Sequence, residues 1–167
     1  MTIPYRGATS ASTYFITAGT YLKKHLLQSD RMADLFCTTL LRYRDAQKFR
    51  LHAFVVMPNH FHLLLTIPEG LTLERAVQFI KGGFAFQAGK LLGVRGEIWQ
   101  KSFADRRVRD RVEFEKYQEY IHQNPVRAGL VNTANEYCYS SLNPTFIMDE
   151  LPQRLKPDFN DSARVHR

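Results

Sequence analysis

The order of hydrophobic and polar residues along the chain predicts seven elements of secondary structure. Stretches rich in β-branched and aromatic residues predict strands at 12–18, 51–56, 60–67 and 98–108. Stretches with apolar residues at steps of three and four predict helices at 30–47, 71–92 and 113–124. Without the last helix, the order β-α-β-β-α-β predicts an α+β fold of ferredoxin-like type, in which helices pack on one face of an antiparallel sheet.

Local signals mark several boundaries of these elements. Ser29 is a typical N-cap for the first helix, and Pro58 and Asn59 form a turn between the second and third strands. Pro125 is expected to end the last helix. Gly82 and Gly83 fall inside the second helix, where each costs about 1 kcal/mol relative to alanine. This pair therefore indicates a kink or a close approach by the backbone of a ligand.

Length and composition bound the organisation of the chain. Its 167 residues, 44% of them hydrophobic, suffice for one domain with its own core. We expect a folded domain over 1–142 and an irregular C-terminal tail over 143–167, where prolines recur. No apolar run approaches the roughly 20 residues that span a bilayer, and 1–6 do not resemble a signal peptide. Cys37 and Cys138 lie far apart without a CxxC pair, which favours reduced thiols and a cytoplasmic location.

The charge balance indicates a polyanionic partner. The chain has 23 Lys and Arg against 16 Asp and Glu, a net charge of +7, and a pI near 9.6. Basic residues are dense at 42–50 and 101–111, with aromatic residues close by. Cations beside aromatic rings suit single-stranded nucleic acid, although each basic run alone is more often a solvated surface.

The sequence His60-Phe61-His62 is the sharpest local feature. Side chains alternate along a strand, so both histidines lie on one face and Phe61 lies on the other. Two imidazoles at i and i+2 can bind one divalent metal. The alternative is that the two histidines are merely polar residues on an exposed face of the sheet. Leu64 follows on the same face, which suggests that the histidines are partly buried and need polar partners.

Tyr120 and Asn124 form a second candidate pair, one turn apart on the last helix. A tyrosine at the edge of a packed face is usually part of the core, but tyrosine also forms covalent intermediates as a nucleophile. Asn124 would add an amide oxygen to the two imidazoles. A site of oxygen and imidazole ligands with open positions suits Mg²⁺ or Mn²⁺.

Four segments together resemble a known family. They are Val56–Leu65 (VMPNHFHLLL), Trp99–Phe103 (WQKSF), Tyr120–Val131 (YIHQNPVRAGLV) and Tyr137–Ser141 (YCYSS). The resemblance is to the REP-associated tyrosine transposases, relatives of the IS200/IS605 transposases among the HUH single-strand endonucleases. It spans roughly 14–141, with the motifs in the family's order.

This resemblance implies a specific chemistry within 1–142. It implies that His60, His62 and Asn124 bind Mg²⁺ or Mn²⁺ and that Tyr120 is the nucleophile. Tyr117 is a rival, but its i+4 neighbour Ile121 cannot bind a metal. The implied reaction cleaves and rejoins single-stranded DNA beside REP-type hairpins through a covalent 5′-phosphotyrosine.

Further expectations concern the partners of the protein. DNA contacts are expected at basic residues in or near the motifs, namely Lys101, Arg106, Arg107, Arg109 and Arg127. We expect no membrane association and a monomer rather than a dimer. The alternative function is a non-catalytic, domesticated protein that only binds hairpin DNA or RNA.

Overall fold

The computed structural model describes residues 11–153 and residue 155. Its strands are β1 Ser12–Gly19, β2 Arg50–Met57, β3 His60–Ile67 and β4 Ala104–Val108. Its helices are α1 Asp30–Asp45, α2 Leu73–Leu92 and α3 Arg111–Arg127. Residues 1–6 and most of the expected tail lie outside the described residues. No helix in the described part of the chain is both long and apolar enough to cross a membrane.

The four strands form one antiparallel sheet in the order β2-β3-β1-β4, which confirms the ferredoxin-like prediction. Helices α1 and α2 pack together on one face over a core that includes Phe36, Phe61 and Phe84. Helix α3, which the β-α-β-β-α-β pattern leaves out, covers the opposite face through Phe114 and Ile121. Strands β2 and β3 are buried on both faces, which explains their nearly continuous apolar sequence.

The fourth strand is shorter than the predicted 98–108. Residues 98–103 leave the ladder, and Trp99 makes only an isolated bridge to Thr20, just beyond the end of β1. The Trp99 indole is buried and donates to the Lys81 carbonyl oxygen of α2 at 2.9 Å. The aromatic character of this stretch therefore reflects packing under α2 rather than strand pairing.

Pro125 does not end α3, contrary to the prediction. The helix starts at Arg111, where Asp110 accepts a hydrogen bond from the Glu113 N–H at 2.8 Å, and it continues to Arg127. A proline removes one backbone donor, but Pro125 lies in the last turn, where the ladder is ending. The Arg127 guanidinium also donates to the Tyr120 carbonyl oxygen at 2.7 Å, which ties the end of the helix to the turn that contains Tyr120.

The segment after α3 lies along the open edge of β2. Ser140 bridges to Val55, and the Ser141 N–H donates to the Phe54 carbonyl oxygen at 2.9 Å. Further on, the Asp149 N–H donates to the Leu51 carbonyl oxygen at 2.8 Å. The contacts occupy backbone groups of an edge strand that would otherwise pair with another chain.

Gly83 lies where α1 and α2 touch. A Cβ at this position would lie 2.7 Å from Cε2 of Tyr43, whose ring also stacks on Phe79 at 5.6 Å. The close approach expected at the glycine pair is therefore made by a side chain of α1, not by a ligand.

Alanine at the two glycines should change stability in opposite directions. No described atom lies within 4 Å of a Cβ added at Gly82, so Gly82→Ala should stabilise by about 0.5–1 kcal/mol through helix propensity. Gly83→Ala must displace Tyr43 and should destabilise by about 1–3 kcal/mol. Urea unfolding of both variants measures the difference. Equal stability of the two would show that Tyr43 does not pack against Gly83.

Candidate active site

Strand β3 presents His60 and His62 to α3 and Phe61 to the opposite core, as the strand alternation predicted. Phe61 packs on Phe36 and Trp99 with ring centroids at 4.7 and 5.3 Å. The two imidazole centroids lie 4.8 Å apart, and His62 is only 4% exposed. The pair is therefore not an exposed polar face.

Both histidines are held through Nδ1 by a neighbouring side chain. His60 Nδ1 lies 2.7 Å from Asn59 Oδ1, which can only accept, so Nδ1 of the neutral ring carries the proton. His62 Nδ1 lies 2.8 Å from Thr17 Oγ1 on β1. Partners of this kind orient metal-binding imidazoles, with Nε2 as the nitrogen that would face a metal.

Asn124 of α3 meets both imidazoles. Its Nδ2 lies 3.2 Å from His62 Nε2, and its side chain also hydrogen-bonds to His60. The amide nitrogen can only donate, so His62 Nε2 accepts and His62 Nδ1 donates to Thr17. Asn124 is buried, and the structure thus brings all three predicted metal ligands together.

Tyr120 lies one turn before Asn124 at the rim of this cluster. Its ring packs edge-on against His62 with centroids 5.4 Å apart, and 41% of the residue is exposed. The Arg127 guanidinium covers the ring at 4.1 Å from its centroid. Tyr120 is therefore held by its neighbours, while its position remains open to a large substrate.

Tyr117, the rival nucleophile, lies in a different environment. Its ring stacks on Phe15 of β1 at a centroid distance of 4.5 Å and an interplanar angle of 12°. One turn later on α3 is Ile121, which is fully buried in the core and offers no ligand. The surroundings of Tyr120 therefore suit a nucleophile beside a metal site better than those of Tyr117 do.

Burial keeps the candidate ligands neutral. Burial, together with the nearby His60 and Arg127, lowers the pKa of His62 to about 3. Burial also lowers the pKa of His60, although the hydrogen bond with Asn124 opposes this effect. Neutral imidazoles are the form that binds a metal.

The same shifts predict acid-sensitive folding. Burial lowers the pKa of His52 as well, so this residue is neutral when folded but protonates near pH 6.5 when unfolded. The stabilisation from keeping these histidines neutral is fully present above about pH 6.5. As the pH drops below this value, the free energy of unfolding decreases by up to about 1.4 kcal/mol per pH unit for each such histidine.

Urea unfolding between pH 7.5 and 5.5 measures this slope. His52 contacts Thr66 Oγ1 at 2.8 Å and lies outside the candidate site, so His52→Gln should make the slope shallower. An unchanged slope in His52→Gln would contradict the assignment of a neutral, buried His52.

The donor set fits a divalent cation. Within the described residues, no group of three or more His, Cys, Asp and Glu side chains that could hold a metal ion is found. A metal at this position would therefore need the amide of Asn124 as its third protein ligand. Two imidazoles and an amide oxygen form an open set of neutral ligands, which suits a cation that retains waters.

Comparison with known proteins now identifies the family. The profile of the family described as "Transposase IS200 like" matches residues 8–124. The chain belongs to the IS200-like transposases. A REP-associated tyrosine transposase of Escherichia coli (strain K12) is 26% identical over 138 residues, which cover 78% of this chain and 80% of that protein. The motif resemblance to this group is thereby confirmed.

Solved structures share the fold of this IS200-like transposase. A REP-associated tyrosine transposase bound to a REP hairpin matches with a TM-score of 0.69 and 23% identity, over 93% of this chain and 96% of that one. A Deinococcus radiodurans R1 structure matches with a TM-score of 0.52 and 24% identity, over 72% of this chain and 98% of that one.

The structure separates the predicted DNA contacts of the transposase. On β4, Arg106 pairs with Phe15 and Arg107 pairs with Tyr14 of β1. Paired residues point to the same face, so Arg106 lies on the face of His62 and α3, and Arg107 lies on the face of α1 and α2. The basic run is thus not one continuous surface.

The other three cations also lie at different places in the transposase. Arg127 covers the nucleophile candidate itself. Lys101 follows Gln100, whose N–H donates to the Gly19 carbonyl oxygen at the end of β1. The Arg109 N–H donates to the Glu113 carboxylate at 2.8 Å, just before α3 begins. Of the five predicted cations, Arg127 is the one that lies against the candidate nucleophile.

Several residues of the site were missed in the sequence. Thr17 and Phe15 are separated from the histidines by more than forty positions, and only strand pairing brings them close. Asn59 is part of the turn signal, but its contact with His60 depends on side-chain geometry. Lys116 lines a hollow beside Tyr120, and its position one turn earlier on α3 could have been predicted from helical spacing.

Proposed function

We propose that this IS200-like transposase cleaves and rejoins single-stranded DNA beside REP-type hairpins through a covalent 5′-phosphotyrosine on Tyr120. The observation that carries the proposal is the convergence of His60, His62 and Asn124 beside the Tyr120 ring. Fixed Nδ1 partners, neutral imidazoles and an accessible phenol are a combination that a structural core does not require. The same combination is what a metal-assisted nucleophile needs.

The cleavage step assigned to Tyr120 consumes no water. The phenol oxygen attacks the scissile phosphorus, and the bond from phosphorus to the 3′ oxygen breaks. The upstream strand leaves with a 3′-hydroxyl, which takes up the proton that Tyr120 gives up. One phosphodiester is exchanged for another, so a 3′-hydroxyl can later attack the phosphotyrosine and restore a continuous strand.

His60, His62 and Asn124 would hold the Mg²⁺ or Mn²⁺ ion. When bound, such an ion polarises the scissile phosphate and neutralises charge that develops on its oxygens. Thr17 and Asn59 keep the two imidazoles oriented. Arg127 keeps the Tyr120 ring beside them and adds a positive charge at the place where a phosphate would approach.

The relatives and the charge support a hairpin substrate. One solved relative with this fold is bound to a REP hairpin, and the chain carries a net charge of +7. The assigned ligands and nucleophile come from one chain, so a monomer would hold a complete site. Cleavage of a phosphodiester by Tyr120 would leave the protein joined to the 5′ end of the downstream strand.

Covalent capture tests this function. A hairpin oligonucleotide with single-stranded flanks and a 3′ label is incubated with the protein and Mg²⁺ or Mn²⁺, then separated under denaturing conditions. The proposal predicts label that comigrates with protein and is lost in EDTA. Tight binding without any covalent product would instead indicate the non-catalytic hairpin-binding protein.

Arg106 and Arg107 provide a matched test of where the DNA lies. Both are exposed neighbours on β4, but only Arg106 shares the face of Tyr120. Arg106→Ala should weaken hairpin binding and reduce the salt slope by about 0.7, the share of one single-strand phosphate contact. Arg107→Ala should change both much less. Titrations at several salt concentrations measure this, and a larger effect of Arg107→Ala would place the DNA on the other face.

A further inference from the structure

The loop that joins β1 to α1 contains an unusual backbone. Leu22 and Lys23 both have a φ of 53°, in the left-handed region that disfavours residues with a Cβ. Two such residues in succession need a compensating interaction, and strain of this kind is concentrated at functional sites. The Leu22 side chain is 67% exposed, so packing within the described protein does not compensate for it.

The strained loop is fixed against the turn between β2 and β3. Thr20, which is fully buried, has its Oγ1 2.6 Å from the Lys24 carbonyl oxygen and 3.0 Å from that of Asn59. The Thr20 N–H also donates to the Asn59 carbonyl oxygen at 2.9 Å. The loop therefore has a defined shape rather than a set of interchangeable ones.

One side chain connects this loop to the candidate metal site. Asn59 donates from Nδ2 to the Lys23 carbonyl oxygen at 3.5 Å, and its Oδ1 faces His60 Nδ1 at 2.7 Å. Asn59 thus contacts both Lys23 and the candidate metal ligand His60. A strand bound at His60 would pass close to the loop.

The exposed groups of the loop suit a single strand. Tyr21, Lys23, Lys24 and His25 are all exposed, and Lys24 Nζ lies 5.8 Å from the Tyr21 ring centroid. Cationic groups next to an aromatic and an aliphatic side chain offer contacts to phosphates and to base faces, without reading base edges. Lys101 lies at the same end of the sheet, because the preceding residue, Gln100, donates its N–H to the Gly19 carbonyl oxygen.

We propose that the β1–α1 loop is a second DNA-binding element, which holds the single-stranded segment next to the scissile phosphate. Lys23 and Lys24 bind its phosphates, while Tyr21 and Leu22 pack against its bases. The left-handed backbone at Leu22 and Lys23 keeps the apolar side chain in solvent and ready for a base. This inference rests on the proposed function, which places single-stranded DNA at His60.

Leu22→Gly separates strain from binding. Glycine adopts the left-handed conformation readily, so the melting temperature should stay the same or rise. Loss of the apolar area that Leu22 buries against a base should weaken binding of a hairpin with a single-stranded flank by about fivefold. Binding of the same hairpin without its flank should not change. A lowered melting temperature, or equal affinity of wild type and Leu22→Gly for the flanked hairpin, would overturn the proposal.

A pair of double variants tests the cations. Lys23→Ala with Lys24→Ala removes two charges at the His60 end of the sheet. Lys48→Ala with Arg50→Ala removes two exposed charges near the opposite end, where Arg50 pairs with Thr66. The loop variant should reduce the salt slope for the flanked hairpin by about 0.7 per lost contact, and the control variant should not. Equal effects of the two variants would show that the loop contributes only general surface charge, which would contradict the proposal.

Covalent capture distinguishes this inference from the proposed function. If wild type forms the Tyr120 adduct but Leu22→Gly binds flanked and unflanked hairpins like wild type, the loop inference is wrong and the cleavage function stands. If wild type forms no adduct but the loop variants still lose flank-dependent affinity, the loop inference stands and the cleavage function is wrong.

Discussion

Tyr120→Phe should abolish strand cleavage and covalent capture while leaving hairpin affinity nearly unchanged. The variant keeps the ring that packs against His62 and under Arg127 and removes only the attacking oxygen. Loss of a nucleophile is expected to lower the cleavage rate by on the order of a thousandfold or more. Denaturing gels with 3′-labelled hairpin measure the rate, and a binding titration of the same DNA measures affinity.

Tyr117→Phe is the matched control for this variant. It removes a hydroxyl from the same helix, one turn away, and preserves the stack on Phe15. Cleavage should therefore continue at a rate close to that of wild type. Retained cleavage in Tyr120→Phe together with loss in Tyr117→Phe would reassign the nucleophile to Tyr117.

His62→Ala should lose metal-dependent cleavage, and EDTA should have the same effect on wild type. The variant removes the Nε2 that faces Asn124 and leaves a cavity in a buried site. With one of three protein ligands gone, we expect a loss of on the order of a hundredfold or more in metal affinity or rate. Cleavage across a Mn²⁺ titration measures both, and thermal unfolding shows whether the variant is folded.

Thr17→Val provides a graded control for the metal assignment. It keeps the shape of the Thr17 side chain but removes the hydroxyl that accepts from His62 Nδ1. Partners of this kind contribute about tenfold to a hundredfold to metal affinity. Thr17→Val should therefore be rescued by more Mn²⁺, whereas His62→Ala should not. Cleavage that is indifferent to EDTA in wild type would contradict the metal assignment.

The sequence predicted the strand pair that carries the histidines because its signals are local. Alternation in β3 placed His60 and His62 together, and helical spacing placed Tyr120 with Asn124. Their meeting depends on α3 covering the sheet face opposite α1 and α2, which no local pattern specifies. The chemistry of the ligands and the motif resemblance, rather than periodicity, suggested that the two pairs belong to one site.

Other features were beyond local reasoning for identifiable reasons. The aromatic residues of 98–103 indicated a strand, but Trp99 is buried under α2 through tertiary contacts. Pro125 indicated a helix end, but it lies in the last turn, where the loss of one backbone donor does not prevent the helix from continuing to Arg127. The support of His62 by Thr17 depends on the register of β1 with β3, which is set by the whole sheet.

Mapping the site of covalent attachment tests the central claim most directly. Wild-type protein is reacted with the flanked hairpin and Mn²⁺, the DNA is trimmed with nuclease, and the protein is digested with trypsin. Cleavage after Lys116 and Arg127 releases one peptide, Tyr117–Arg127, that contains both candidate tyrosines, so fragment ions must locate the nucleotide. The account predicts a 5′-phosphate linkage on Tyr120. A linkage on Tyr117, or no covalent nucleotide on a protein that binds the hairpin, would contradict it.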